Sequence, residues 1–183
     1  KRERIALLHT GVGAAICRQR IEPFLAAQKF DFLISSGFAG GVDPSLGVGD
    51  LLLAENYSDP DLLRRADNTF VAHTARLVSA DEVVASAAER AAFAADHQAE
   101  AVDMETATIF AAGFANRIPC GALLLVSDQP MIPEGVKTEA SDRQITSSFV
   151  EAHIKIGVEA LKLVRRNGRS VKHLRFEGDV VSE

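Results

Sequence analysis

The sequence predicts an α/β protein built on a largely parallel or mixed sheet. Three observations carry that expectation. Short apolar runs of strand length alternate with longer helical patterns, glycine-rich turns follow the first two runs, and neither an internal repeat nor a linker interrupts the order. At 183 residues the chain fits one domain with a real core, residues 1–183, closing on a polar tail at 168–183. Hydrophobic residues at 47% and charged residues at 25% are ordinary for a globular protein. A net charge of −5 argues against a nucleic-acid partner. Cys17 and Cys120 stand far apart without metal-ligand spacing, so neither a zinc site nor a disulfide framework is expected, and a reducing cytosol is the default. No run approaches ~18 apolar residues and no signal-peptide pattern opens the chain, so a cytoplasmic protein without a membrane partner is expected.

The elements follow in order. Ile5–His9 reads as a short apolar strand ending in a turn at Thr10–Gly13. A helix over Ala14–Gln28 spaces Ile16, Arg20, Ile21, Phe24 and Leu25 along one face. Phe30–Ile34 is a buried strand, with Ser35–Gly41 as its turn; Val42–Gly49 is turn-rich, and Asp50–Ala54 is the next strand. Thr74–Val78 forms another strand. Asp81–Ala95 is alanine-rich and helical, with Asp81 and Glu82 complementing the dipole of its first turn. A strand over Ala99–Met104 leads into a helix over Glu105–Asn116, and Pro119 restarts the chain into strand Gly121–Val126. Glu134–Ser147 is a polar loop or lid, Phe149–Asn167 an amphipathic helix closed by Gly168, and Arg169–Glu183 a charged tail.

In sheets of this kind a ligand sits beyond the carboxyl ends of the strands. The turns after the runs at 5–9, 30–34, 99–104 and 121–126 hold the glycines, Met104, Glu105, Ser127 and Asp128, and these are expected to share one rim. Glu105 at a helix start and Asp128 at a strand end suit a ligand with vicinal hydroxyls at one end and a protonatable heterocycle at the other. Each has a plainer reading, Glu105 as a dipole-stabilised acid and Asp128 as a turn cap. The glycine turns permit positive φ and close backbone approach, but neither forms a Walker A motif or completes GxGxxG. His9, His73, His97, His153 and His173 lack ligand spacing and read as structural or surface residues; no GxSxG elbow occurs.

Taken in order, Gly-Val-Gly at 11–13, Ser-Gly-Phe-Ala-Gly-Gly at 36–41, Val-Gly-Asp at 48–50, Val-Asp-Met-Glu at 102–105 and Val-Ser-Asp at 126–128 resemble the nucleoside phosphorylase/nucleosidase superfamily. The resemblance covers about residues 5–165. The glycine segments look most like methylthioadenosine/S-adenosylhomocysteine nucleosidases, and the stretch from Asp103 through Pro130 also looks like AMP nucleosidases. It implies a three-layer α/β/α domain around a central mixed sheet, assembled as a homo-oligomer, that cleaves the bond between ribose C1′ and a purine nitrogen without metal or organic cofactor. By position it implies that Asp128 protonates N7 of the purine, Glu105 holds the ribose 2′ and 3′ hydroxyls, and Met104 packs against the sugar. Ser127 and the backbone of Ala39 and Gly40 would line the pocket, and Val83 stands where the family often has a base-stacking aromatic. The chain opens on Lys1 rather than Met, and the family's first strand is expected upstream of it.

Leaving-group protonation needs an acid that still holds its proton near neutral pH, a condition that partial burial favours. A carboxylate beside the sugar stabilises an oxocarbenium-like transition state. The expected activity is therefore a purine nucleosidase using water. A phosphorylase using inorganic phosphate and a non-catalytic nucleoside-binding homologue are the alternatives. Ser35 and Ser36, where phosphorylases tend to place an arginine, favour hydrolysis, and Lys137 and Arg143 are the residues available to a 5′-phosphate.

Overall fold

Two apolar runs become the long central strands. In the computed structural model, which describes residues 5–69 and 73–129, the helix α1 (Ala14–Ala27) leads into β1 (Leu33–Gly41). Then come β2 (Leu51–Ala54), a 3-10 turn at Glu55–Tyr57, α2 (Pro60–Thr69), β3 (His73–Ala75), β4 (Leu77–Ser79), α3 (Ala87–His97), β5 (Ala101–Asp103), α4 (Thr106–Ala115) and β6 (Cys120–Asp128). The sequence expectations for Glu134–Ser147, Phe149–Asn167 and the tail lie outside the described residues. The six strands form one mixed sheet in the order β3-β2-β6-β1-β5-β4, with helices against it, the α/β architecture the sequence predicts.

β1 and β6 pair in parallel from Leu33 opposite Cys120 to Ala39 opposite Val126. The register then shifts between Ala39 and Gly40, which sets Gly40 opposite Asp128. β3 and β4 occupy opposite edges of the sheet yet are separated by Arg76 alone. Their ends therefore lie within roughly 7 Å of each other, and the sheet must curl back on itself. The Arg76 carbonyl accepts the N–H groups of Glu100 at 2.9 Å and Ala101 at 3.2 Å, tying the turn to β5. Leu52 and Ala54 of β2 and Ala122, Leu124 and Val126 of β6 alternate onto the inner face, where Ala39, Ala75 and Ala101 meet them. Small side chains at those positions let the faces approach. Burying a leucine such as Leu52 or Leu124 contributes about 1.5–3 kcal/mol. The opposite face carries α2 on Leu53 and Leu123, while the α1–α4 pair, joined through Cys17, Ile21, Leu25 and Ile109, packs on Leu33, which shares its face of β1 with Ala39.

Several local expectations are corrected. Ile5–His9 is not a strand: it joins no ladder, and Ile5 and Leu7 are 66% and 90% exposed, because an apolar run becomes a strand only by pairing. Ser35–Gly41 is not a turn but the second half of β1, since its amides and carbonyls find β6 alongside. The run at Thr74–Val78 breaks at Arg76 into two strands. α3 starts at Ala87 rather than at Asp81. Ser86 caps it through Glu89 N–H at 3.2 Å while Glu89 Oε2 accepts Ser86 N–H at 2.9 Å, a reciprocal pair that fixes the start six residues later than the acidic cue. On α1 the buried line is Cys17, Ile21 and Leu25; Ile16 is 43% exposed and Arg20 turns out toward His9.

Candidate active site

A cleft of about 170 Å³ opens between the first glycine turn, the middle of β1 and the start of α4. His9, Thr10, Gly11, Ser35, Ser36, Gly37, Phe38, Asp103, Glu105, Ile109 and Leu124 line it. β5 runs antiparallel to β1, so the turn after β5 does not lie at the carboxyl ends of β1 and β6. Glu105 instead comes alongside the middle of β1, and the expected single rim becomes two adjoining clusters with β1 as their common wall.

The first cluster is built around Glu105. Asp103, buried at the end of β5, accepts Thr106 N–H through Oδ2 at 2.9 Å. Ser79 donates to Asp103 Oδ1 at 2.5 Å and accepts Ala107 N–H at 2.9 Å. Together they satisfy the start of α4, a task that four orphan N–H groups impose on any helix. Glu105 occupies the N-cap position but makes no side-chain cap. Its Oε1 instead accepts the N–H of Gly13, the N-cap of α1, at 2.5 Å. Gly11 and Gly13 hold φ of +80° and +89°, which only glycine adopts freely, so the first glycine turn behaves as its sequence predicts. Burial pushes the Glu105 carboxyl above the ordinary range; the Gly13 N–H pulls it down, the Asp103 charge adds to the rise, and the Met104 N–H opposes it. Met104 is half-buried between the two acids.

The second cluster surrounds Asp128 at the end of β6, beyond the cleft lining. Ser127 Oγ donates to Asp128 Oδ1 at 2.8 Å and lies 3.3 Å from the Ala39 carbonyl. Asp128 Oδ2 forms an ion pair with Arg90 of α3. A Cβ on Gly40 would stand 2.5 Å from Arg90 Nη1, and one on Gly41 2.6 Å from Gln129 Nε2. These glycines serve close approach of side chains within a strand rather than positive φ. Val83 sits 72% exposed on the connection before α3.

Of the residues singled out from sequence, the structure brings Ala39, Gly40, Ser127 and Asp128 together, sets Glu105 in the cleft with Met104 beside it, and leaves Val83 at the surface. Sequence reading missed Asp103, Ser79, Arg90 and His9. Asp103 had a signal, a capping aspartate three residues before Thr106; His9, which lines the cleft and takes Arg20 Nη1 at 3.2 Å on its Nδ1, had none. Burial pushes the Cys17 and Cys120 thiols up to about 11, far from thiolate chemistry. Among the described residues no group of His, Cys, Asp and Glu is arranged to hold a metal ion, and no helix is long and apolar enough to cross a membrane.

Residues 53–164 match the family described as the phosphorylase superfamily. The AMP nucleosidase of Bacteroides thetaiotaomicron VPI-5482 is 33% identical, with 86% of this chain and 72% of that one covered and a TM-score of 0.59. The AMP nucleosidase of Escherichia coli (strain K12) is 29% identical over 198 residues, covering 90% of this chain; the chain spans about 40% of that relative's length. The 5′-methylthioadenosine/S-adenosyl homocysteine nucleosidase of Campylobacter jejuni shares the fold, with a TM-score of 0.66 at 20% identity over 84% of this chain and 77% of that one.

Proposed function

The chain belongs to the phosphorylase superfamily, and we propose that it hydrolyses the N-glycosidic bond of a purine nucleoside or nucleotide with water as nucleophile. The observation that carries this reading is the release of Glu105 from capping duty. Asp103 and Ser79 start α4 in its place, so a half-buried carboxylate lines the cleft where hydroxyl donors can meet it. The named activities of the two AMP nucleosidases support the same reading and favour a 5′-phosphorylated substrate.

Glu105 grips the ribose 2′ and 3′ hydroxyls, and Met104 packs against the sugar. Asp128 delivers a proton to N7 as the C1′–N bond breaks and its electron pair passes to the base. Water adds its oxygen to C1′ and gives up a proton to solvent, which replaces the one that Asp128 delivered, while the charge on Glu105 favours the positive ribosyl centre. Ser127 and the backbone of Ala39 and Gly40 wall the pocket on the Asp128 side, and Val83 faces the base from its exposed connection. The chain works as a homo-oligomer: Ile5, Leu7, Val12 and Ile16 leave apolar surface open beside the cleft. Light scattering at micromolar concentration checks that, and a monomer mass contradicts it.

Base release from AMP, methylthioadenosine, adenosine and inosine, with and without phosphate, tests the activity. The expected products are free base and a pentose lacking a 1-phosphate, at a rate indifferent to phosphate. Pentose 1-phosphate formed only with phosphate means phosphorolysis. No release from any substrate removes the enzymatic reading.

A further inference from the structure

α3 sends a cation inward. Arg90 is 4% exposed and is the buried residue of its helix. Its Nε donates to the Val84 carbonyl at 2.8 Å, and its Nη1 to the carbonyls of Gly41 at 2.9 Å and Asp128 at 3.3 Å, while Nη2 pairs with Asp128 Oδ2. Three of these partners are neutral, so the Asp128 carboxylate supplies the compensating charge that a buried guanidinium requires. Glycine at 40 leaves the room, since a Cβ there would press on Nη1. Two strands and a helix thus converge on one fork-shaped group whose donors engage both the side chain and the main chain of the same aspartate.

We propose that Arg90 is a positioning residue that fixes Asp128 so that Oδ1 alone is presented to the base. The proposal rests on the proton-donor role assigned to Asp128 above. With Oδ2 held by Arg90, the proton passes over Oδ1. Ser127 serves both states of that oxygen. Its hydroxyl donates to an unprotonated Oδ1 at 2.8 Å, or accepts from a protonated one and turns its own hydrogen toward the Ala39 carbonyl at 3.3 Å. Arg90 acts on the reaction through Asp128.

The test uses Arg90→Gln and Arg90→Lys, each alone and combined with Asp128→Asn, after circular dichroism and melting confirm folding. A crystal structure of Arg90→Gln should show the Asp128 carboxylate rotated away from Ser127; a carboxylate left in place with its Ser127 bond overturns the proposal whether or not the protein is an enzyme. In kinetics, kcat should fall on the order of 10–100-fold with KM within about threefold, because misplacing a reacting group by about 1 Å has effects of that size. Arg90→Lys should recover part of the loss, and Asp128→Asn should absorb it. A loss confined to KM, or one fully additive with Asp128→Asn, overturns the proposal. Wild-type protein that releases no base removes the hydrolase reading and leaves the structural comparison to decide the positioning role. If Arg90→Gln does not fold, Arg90→Lys carries both measurements, with the same direction and a smaller size.

Discussion

Glu105 and Asp128 flank the same strand, but they are held in different ways. Glu105 is half-buried, its carboxylate accepts the main-chain N–H of Gly13, and Asp103 stands beside it as a second negative charge. Asp128 has a side chain 44% exposed and is clamped by a buried cation on one oxygen and a hydroxyl on the other. Dipoles hold the first carboxylate in a setting unfavourable to its charge. A full charge holds the second. The contrast suits separate duties: an acceptor that meets neutral hydroxyls, and a rigid group aimed at one atom of a base.

The sharpest way to break that division is Asp128→Asn, where turnover should drop by about 10²–10⁴-fold. The amide oxygen still accepts from Arg90, but the buried guanidinium loses its compensating charge, so the melting temperature should fall while circular dichroism keeps the native signature. Near wild-type turnover in the folded variant would exclude Asp128 as the acid. Gly40→Ala perturbs the same clamp from the opposite side by displacing the guanidinium. It should lower kcat on the order of tenfold, and steady-state kinetics showing an unchanged kcat would mean that Arg90 does not need its seat.

On the other side of the comparison, the raised folded-state value of Glu105 has a sign for stability. The fold favours the protonated carboxyl, so its stabilisation is full below the unfolded value and is lost as pH rises through the folded one. Glu105→Gln, neutral throughout, should melt above wild type at pH 7, with the gap closing near pH 3. Melting curves offset equally at both pH values contradict the burial argument. The smallest effect belongs to a control away from both carboxylates. Ser86→Ala removes the α3 cap at about 1 kcal/mol, visible in urea unfolding, with KM for substrate unchanged.

Legibility in the sequence follows how local each cause is. α4 and β6 were readable because an apolar run bounded by Glu105 and Asn116, and another after Pro119, carry their own boundaries. The start of α3 was written in Ser86-Ala-Ala-Glu89 but masked by the louder acidic pair upstream. The second glycine segment misled because glycine usually marks a turn, whereas here Gly40 and Gly41 make room for Arg90 and Gln129. Arg90 itself had no local signal. It stands on an alanine-rich helix, and its partner lies 38 residues away at the end of β6. The split of the supposed rim depended on the antiparallel direction of β5, a property of pairing that periodicity does not encode.

Divided roles for the two carboxylates are tested most directly by the ratio of turnover on a purine riboside to that on its 2′-deoxy counterpart. The ratio should be measured for wild type, Glu105→Gln and Asp128→Asn under one set of conditions. Glu105→Gln should lose more on the riboside and so narrow the ratio, while Asp128→Asn should lower both rates by the same factor and leave it unchanged. A ratio that Glu105→Gln leaves intact would contradict the assignment of Glu105 to the ribose hydroxyls, and with it the division between the two sites.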